Sequence, residues 1–329
     1  MLKLLSGADA AIGNTPIVNL SRIVARHGLR GGIFAKLEYL NPGFSKKDRI
    51  AKQIIEEAEA SGALQRGRAV VELTSGNTGT GLAIVCAVRG YKFYACMSKG
   101  NSAERARMMR ALGAEVVLVD QAAGSAPGQV SGEDLALVEA KARELTEELG
   151  AFRADQFTLA GNVRAHELHT AEEIWEACGG NFGAFADFMG TGGSFAGCAK
   201  TFKRRDASIG CYAVEPEAAA HYAMKHRRAG ASSAAGGEVS SGHSIQGGGY
   251  SMELPLVPPE LIDDVVTVTD AEAVTAAREL AKYEGVFAGY SSGANVCAAL
   301  RLLGGEAEGK NIVVLLNDSG LKYLSTDLY

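Results

Sequence analysis

The sequence predicts an α/β protein built on mostly parallel sheet, and three observations carry that expectation. Short apolar runs of strand length alternate with helical runs across short links. The 41 glycines sit mostly where a strand run gives way to a helix, while prolines number only 7. Several of these junctions mix glycine with Ser, Thr and Asn, the composition of a turn that turns backbone N–H groups toward an anion.

At 329 residues the chain is long enough for one large or two ordinary domains. It is 47% hydrophobic and 22% charged, as expected of a soluble protein with a sizeable core. A net charge of -5 argues against nucleic acid or an anionic membrane as a general partner. Cys86, Cys96, Cys178, Cys198, Cys211 and Cys297 are scattered, with no C-x-x-C and no metal-ligand spacing with histidine. No metal site is expected; buried free thiols in a reducing compartment are. The apolar start Met1–Leu5 is too short for a secretory h-region, and no run approaches a membrane span, so a soluble cytoplasmic protein is expected.

In chain order, residues 1–35 are a lead-in, with a turn at Ile12-Gly13-Asn14-Thr15-Pro16 and a strand starting at Ile33-Phe34-Ala35. Asn41-Pro42-Gly43 is turn chemistry, Ser45 is placed to cap a helix, and Ile50, Ile54, Ile55 and Ala58 give that helix its pattern. The strand Ala69–Leu73 passes directly into Thr74-Ser75-Gly76-Asn77-Thr78-Gly79 and an apolar helix to about Val88. Strand Tyr91–Met97, helix Ser102–Leu112 and strand Glu115–Val119 continue the alternation. Residues 120–132 read as loop, and 133–149 as a long charged helix.

A second α/β unit follows. Strand Phe185–Met189 enters Gly190-Thr191-Gly192-Gly193-Ser194 and a helix; strand Cys211–Val214 comes next. Residues 228–250, rich in Gly, Ser and Ala, read as a long functional loop, because large apolar elements resume after it. Strand 264–268, helix 270–283, strand Val286–Ala288, helix 292–303 and strand 311–316 complete the unit. No solenoid-type repeat is present.

Lys46 and Lys47 stand at the mouth of the first long helix, where the macrodipole favours acids such as Asp48. An ammonium held there loses part of its preference for the charged form, as a lysine that must attack a carbonyl requires. Alone, a solvated lysine pair is the simpler reading.

Three strand-to-helix junctions change that balance. Gly190–Ser194 is the phosphate candidate, since its glycines allow close approach and several N–H groups converge at a helix start. It has no Walker lysine and no G-x-G-x-x-G spacing, which argues against a nucleoside triphosphate or a dinucleotide. Thr74–Gly79 offers hydroxyls, an amide and helix-start N–H groups, suited to a carboxylate plus a neutral oxygen, and exceeds what an N-cap needs. Ser291 and Ser292, in Gly289-Tyr290-Ser291-Ser292-Gly293, would serve as an N-cap alone. Ligands of a parallel α/β sheet bind at the strands' carboxyl ends. A phosphate cradle, a perturbed lysine and hydroxyl donors together describe a pyridoxal phosphate site.

The chain resembles the cysteine synthase and cystathionine β-synthase family of fold-type II pyridoxal-phosphate enzymes. The resemblance runs through I-G-N-T-P (Ile12–Pro16), N-P-G-x-S-x-K-D-R (Asn41–Arg49), T-S-G-N-T-G (Thr74–Gly79) and L-G-A-E-V (Leu112–Val116). It continues through G-T-G-G-S (Gly190–Ser194), V-E-P (Val214–Pro216), I-Q-G-x-G (Ile245–Gly249), S-S-G-A (Ser291–Ala294) and D-S-G-x-K-Y-L-S-T (Asp318–Thr326). It implies two three-layer α/β/α domains of tryptophan synthase β type with the cofactor in the cleft between them. Residues 13–40 and 153–329 would form the larger, cofactor-binding domain, and 41–152 a smaller mobile one. Neither a haem-binding extension nor a C-terminal regulatory module is expected, and a homodimer is.

The resemblance also implies roles. Lys47 would hold the cofactor as a Schiff base, and Lys46 would be surface. Asn77 would bond the cofactor's 3′-oxygen, Gly190, Thr191, Gly192, Gly193 and Ser194 its phosphate, and Ser291 its pyridine nitrogen. Thr74, Ser75, Gly76, Thr78 and Gln156 would receive the substrate carboxylate. A hydroxyl cannot keep the pyridine protonated as a carboxylate would, which disfavours long-lived carbanions and suits loss of a β leaving group. Lys47 would take the Cα proton, elimination would leave an aminoacrylate, and a nucleophile such as sulfide would add. The leading expectation is cysteine synthesis from O-acetylserine or O-phosphoserine. The alternatives are a lyase acting on cysteine, serine or threonine, and replacement by an amine or larger thiol.

Departures from the family pattern fall at Met97–Arg105, where M-P-x-x-M-S-x-E-R is common, and in a lengthened 120–149. Others are His243–Tyr250 and Tyr290, where a smaller residue is common; all are expected to shape substrate and nucleophile access. Lys225, Arg227 and Arg228 suggest either a phosphorylated or acidic substrate or, more simply, a solvated face.

Overall fold

The computed structural model describes residues 4–74, 76–125, 130, 132–228 and 242–329, without the side chains of 226–228. In chain order the elements open with β1 (Ile17–Asn19), α1 (Ser21–Arg26), β2 (Gly32–Leu37) and α2 (Lys47–Ala60). There follow β3 (Val70–Leu73), α3 (Asn77–Arg89), β4 (Phe93–Ser98), α4 (Ala103–Ala111), β5 (Glu115–Val119), α5 (Gly132–Glu148) and β6 (Phe152–Arg153). Next come α6 (Gly161–Ala165), α7 (Ala171–Cys178), β7 (Ala184–Phe188), α8 (Gly193–Arg205), β8 (Gly210–Pro216) and α9 (His221–Arg228). The last are β9 (Asp264–Val268), α10 (Asp270–Glu279), α11 (Tyr290–Leu303) and β10 (Asn311–Leu316). They form two compact units: the chain up to Gly13 with Leu40–Ala165, and Asn14–Tyr39 with His166–Tyr329.

In the first unit four parallel strands lie in the order β5-β4-β3-β6. The period-2 alternation of strand side chains divides the core in two. Val70, Phe93, Ala95 and Met97 pack with Ile54, Ile55, Leu82 and Met109 from α2, α3 and α4. Val71, Leu73 and Cys96 pack on the other face with Val138 and Ala142 of α5. A parallel sheet covered on both faces results, which is why its strands read as near-continuous apolar runs.

The second unit has six strands in the order β1-β2-β10-β7-β8-β9, all parallel except the edge pair β1–β2. Ala184, Ala186 and Phe188 of β7 join the cluster built by α10 and α11. Phe185 points the opposite way, stacking on Phe195 at 6.1 Å and meeting Phe202 edge-on at 5.3 Å. This unit too has helices on both faces.

The expected strand Val286–Ala288 is not formed. Both residues are buried, which accounts for the apolar signal. However, β10 already pairs with β2 and β7, so no ladder is open to it, and Ala288 makes one isolated bridge to Ser319. The expected helix 270–283 is α10 continued by a π-helical turn, Leu280–Glu284. The short elements β1, α1, α6 and α7 were not anticipated.

Candidate active site

The first unit holds the lysine. Asn41 Oδ1 accepts the Gly13 N–H at 2.8 Å, and the Phe44 N–H donates to the Asn41 carbonyl at 2.8 Å, closing the turn. Asp48, fully buried on the first turn of α2, accepts the Gly43 N–H at 2.5 Å. The acid thus complements the helix dipole and ties the turn down at the same time. Ser45 Oγ accepts the Lys47 N–H at 3.2 Å, but Ser45 is not the N-cap expected: Lys46 holds that position, with no side-chain cap, and Ser45 braces the turn one residue earlier. Lys47 is half-buried. Lys46 corrects the expectation of a surface residue: it is only 6% exposed. Asp48 ties the turn back to the helix start, and Ser45, Asp48 and Arg49 beside Lys46 in the chain are buried as well.

One glycine sets how closely α3 approaches this start. A Cβ on Gly81 would lie 2.9 Å from Asp48 Cα and 3.1 Å from the Lys47 carbonyl, so the two helices touch backbone to backbone beside the lysine.

The loop after β3 is braced from within. Buried Thr74 accepts the Gly76 and Gly79 N–H groups at 3.0 and 2.8 Å. Both of its lone pairs are thereby used, and its own O–H is what it has left to give. Thr78 donates to Gln156 Oε1 at 2.6 Å, while Gln156 Nε2 donates to the Leu73 carbonyl at 3.1 Å. The fold therefore brings Thr74, Gly76, Thr78 and Gln156 together. Asn77 is half-buried at the first position of α3; Ser75 lies outside the described residues.

Beneath this loop lies a buried charge network that the sequence reading did not find. Arg153 donates to Glu72 at 3.0 Å and to Glu139 at 2.8 Å, and the Gln156 N–H reaches Glu72 at 3.4 Å. Burial pushes the Glu72 carboxyl up to about 8, against the downward pull of Arg153. Buried Arg105 of α4 lays its aliphatic chain beside Gly76.

In the second unit, β7 runs through Met189–Thr191 into α8, whose first N–H groups have no intrahelical partner. Gly192 has φ +79°, and a Cβ there would fall 2.1 Å from Val257 Cγ2, so only glycine fits. Ser194 is not a free hydroxyl donor: it gives its proton to buried Asp187 at 2.5 Å, and Asn295 Nδ2 donates to the same carboxylate at 3.1 Å. Gly248 rests on this loop, and the Gly249 N–H donates to the Met189 carbonyl at 3.1 Å.

Ser291, on the first turn of α11, is buried and accepts Asn317 Nδ2 at 3.1 Å; no carboxylate contacts it among the described residues. Tyr290 corrects the expectation that it shapes access. It is buried in the core, donates to Asp327 Oδ1 at 2.6 Å, and its phenol is pushed up to about 12 by burial and by Asp327. Lys225 meets Glu253 at 2.5 Å on an exposed face; the side chains of Arg227 and Arg228 lie outside the described residues, as does most of 228–250.

A glycine-forced loop at the end of β7 and a half-buried lysine at the mouth of α2 are compatible with a phosphorylated aldehyde cofactor. The family profile described as "Pyridoxal-phosphate dependent enzyme" matches residues 8–318, and the chain belongs to that family. It is 39% identical over 319 residues to a cysteine synthase of Staphylococcus aureus, covering 97% of this chain and 95% of the relative. Among solved structures, an O-ureido-L-serine synthase superposes with a TM-score of 0.86 at 36% identity, over 99% of this chain and 95% of that one. A hydrogen sulfide-producing enzyme of Fusobacterium nucleatum does so at 0.86 and 36%, over 98% and 99%. The protein is a pyridoxal-phosphate-dependent β-replacement enzyme of the cysteine synthase family.

Proposed function

We propose that the enzyme makes cysteine from an O-activated serine, O-acetylserine or O-phosphoserine, and sulfide. The single observation that carries the chemistry is Ser291, a buried hydroxyl held by an amide, at the position assigned to the cofactor's pyridine nitrogen. Bound pyridoxal phosphate supplies an electron sink that acidifies the α-proton of an attached amino acid and lets a β substituent leave. A neutral hydroxyl partner keeps that sink modest and so favours departure of the β group over prolonged carbanion life.

The chain's own residues do the rest. Lys47 Nζ would hold the cofactor and would accept the substrate's Cα proton. Asn77 bonds the cofactor's 3′-oxygen. The backbone N–H groups of Gly190–Ser194 receive the phosphate, a role that the forced glycine at 192 supports. Thr74 donates its one remaining proton to the substrate carboxylate, joined by Ser75, by the second Nε2 proton of Gln156 and by the backbone N–H of Thr78, whose hydroxyl proton goes to Gln156, while Gly76 lets the loop turn. The Staphylococcus aureus cysteine synthase supports the choice of product.

The test is a substrate panel on cofactor-loaded enzyme: O-acetylserine, O-phosphoserine, serine and cysteine, each with and without sulfide. Sulfide-dependent cysteine formation from an O-activated serine is expected. Its absence with both, together with sulfide release from cysteine, would establish the lyase reading that the Fusobacterium relative favours.

We also propose a cytoplasmic homodimer. All six cysteines are free, and Leu321 and Leu324 stand 60% and 65% exposed on one short turn. Among the described residues no helix is long and apolar enough to cross a membrane. Sedimentation of the loaded enzyme at the mass of one chain would refute the dimer.

A further inference from the structure

Asn317 directly follows β10 and is 5% exposed. Its two nitrogens serve the two adjacent serines at the start of α11: the backbone N–H donates to Ser292 Oγ at 2.9 Å, and Nδ2 donates to Ser291 Oγ at 3.1 Å. Its Oδ1 is buried and has no hydrogen-bond partner among the described residues. A buried amide with one satisfied end is oriented for what that end does.

A serine hydroxyl has one proton to give and two lone pairs to fill. With Asn317 Nδ2 on one lone pair, Ser291 is committed as an acceptor inside the protein and free to donate outward. A pyridine nitrogen meets such a hydroxyl in two ways. Unprotonated, it accepts the serine proton; protonated, it must donate to a serine lone pair and leaves the serine proton without an acceptor among the described residues. The arrangement found matches only the first. We propose that Asn317 is a positioning residue that fixes Ser291 as a donor and thereby holds the cofactor's ring nitrogen unprotonated. The inference rests on the reading of Ser291 as the nitrogen's partner and extends it to a residue that never touches the cofactor. It also names the origin of the modest electron sink: the amide behind the serine selects which state of the ring the serine accepts.

The test is nitrogen NMR of enzyme loaded with pyridoxal phosphate carrying 15N in the ring, recorded across neutral pH for wild type, Asn317→Asp, Asn317→Leu and Ser291→Ala. Wild type is expected to show an unprotonated ring nitrogen. Asn317→Asp offers only acceptors, takes the Ser291 proton, and turns a lone pair toward the ring. Its ring nitrogen should titrate about one pH unit higher or more, a tenfold gain in proton affinity. Asn317→Leu, of similar volume and unable to hydrogen-bond, should move it in the same direction by less. It also keeps the test decisive if the buried carboxylate prevents folding. A protonated nitrogen in wild type, the state that the reverse orientation of the Asn317 amide would favour, overturns the proposal. So do unchanged titrations in both Asn317 variants while Ser291→Ala shifts the signal. If Ser291→Ala itself leaves the signal in place, the reading of Ser291 fails, and this inference with it.

Discussion

Replacing Gly192 by alanine attacks the proposed phosphate cradle at a point where the structure leaves no room. The backbone there has φ +79°, which costs an L-residue roughly 1–2 kcal/mol. The new methyl would also sit 2.1 Å from Val257 Cγ2 and 3.4 Å from Leu254 Cδ1. Val257 is buried and stiff at χ1, so it cannot swing clear; overpacking of this kind costs about 1–3 kcal/mol. If the whole sum, about 2–5 kcal/mol, falls on the conformation that receives phosphate, affinity drops roughly thirty- to several-thousand-fold. Titration of apoprotein with pyridoxal phosphate reads this directly, and thermal unfolding of the same apoprotein shows how much of the cost is global. Gly192→Ala with Val257→Ala should recover the steric share and leave the backbone share, as a double-mutant cycle would show. A dissociation constant within threefold of wild type for Gly192→Ala, at unchanged melting temperature, would refute both the steric reasoning and the assignment of the cradle.

Lys47→Ala should abolish the cofactor's Schiff-base absorbance and lower turnover by roughly 10²–10⁴-fold for loss of the proton acceptor alone; retained band and rate would remove Lys47 from the mechanism. Thr78→Val leaves Gln156 Oε1 without its donor, costing about 1–3 kcal/mol of stability and raising KM for the amino acid while the cofactor band persists. A variant with unaltered KM would argue against the carboxylate site. Glu72, with its carboxyl raised from 4.5 to about 8, keeps its proton when folded across a window where the unfolded chain has lost it. Its contribution to stability therefore falls as pH rises through that window, by at most about 1.4 kcal/mol per pH unit. Glu72→Gln should flatten that part of a denaturant-derived stability profile, and an identical slope in the variant would contradict the assignment.

The alternation of strand and helix was legible because each parallel strand is buried on both faces and each crossover helix follows at once. The site's backbone parts were legible for a related reason: a strand end, a glycine and a helix start are neighbours in sequence. Side-chain partnerships between distant segments were not. Even at seven residues' separation, Ser194 reads as a phosphate-facing hydroxyl until Asp187 of β7 is seen to take its proton. Asn317 lies 26 residues from Ser291 and has no local signature. Lys46 and Lys47 carry the same charge at adjacent positions, and only the fold of the turn, drawn in by Asp48, shows that the first is buried. Val286 and Ala288 show the converse, since their apolar pattern reports burial and says nothing of whether a sheet has a free edge.

The backbone contact at Gly81 gives the first unit a fixed internal gauge. The helix α3 carries the proposed carboxylate loop at its start and leans on the Lys47 turn of α2 one turn later. Two main chains in contact have no rotamers to relax into, so the distance between the amine and the carboxylate binder is set before any ligand arrives. Enlarging one side chain there would shift both ends of the amino-acid grip at once.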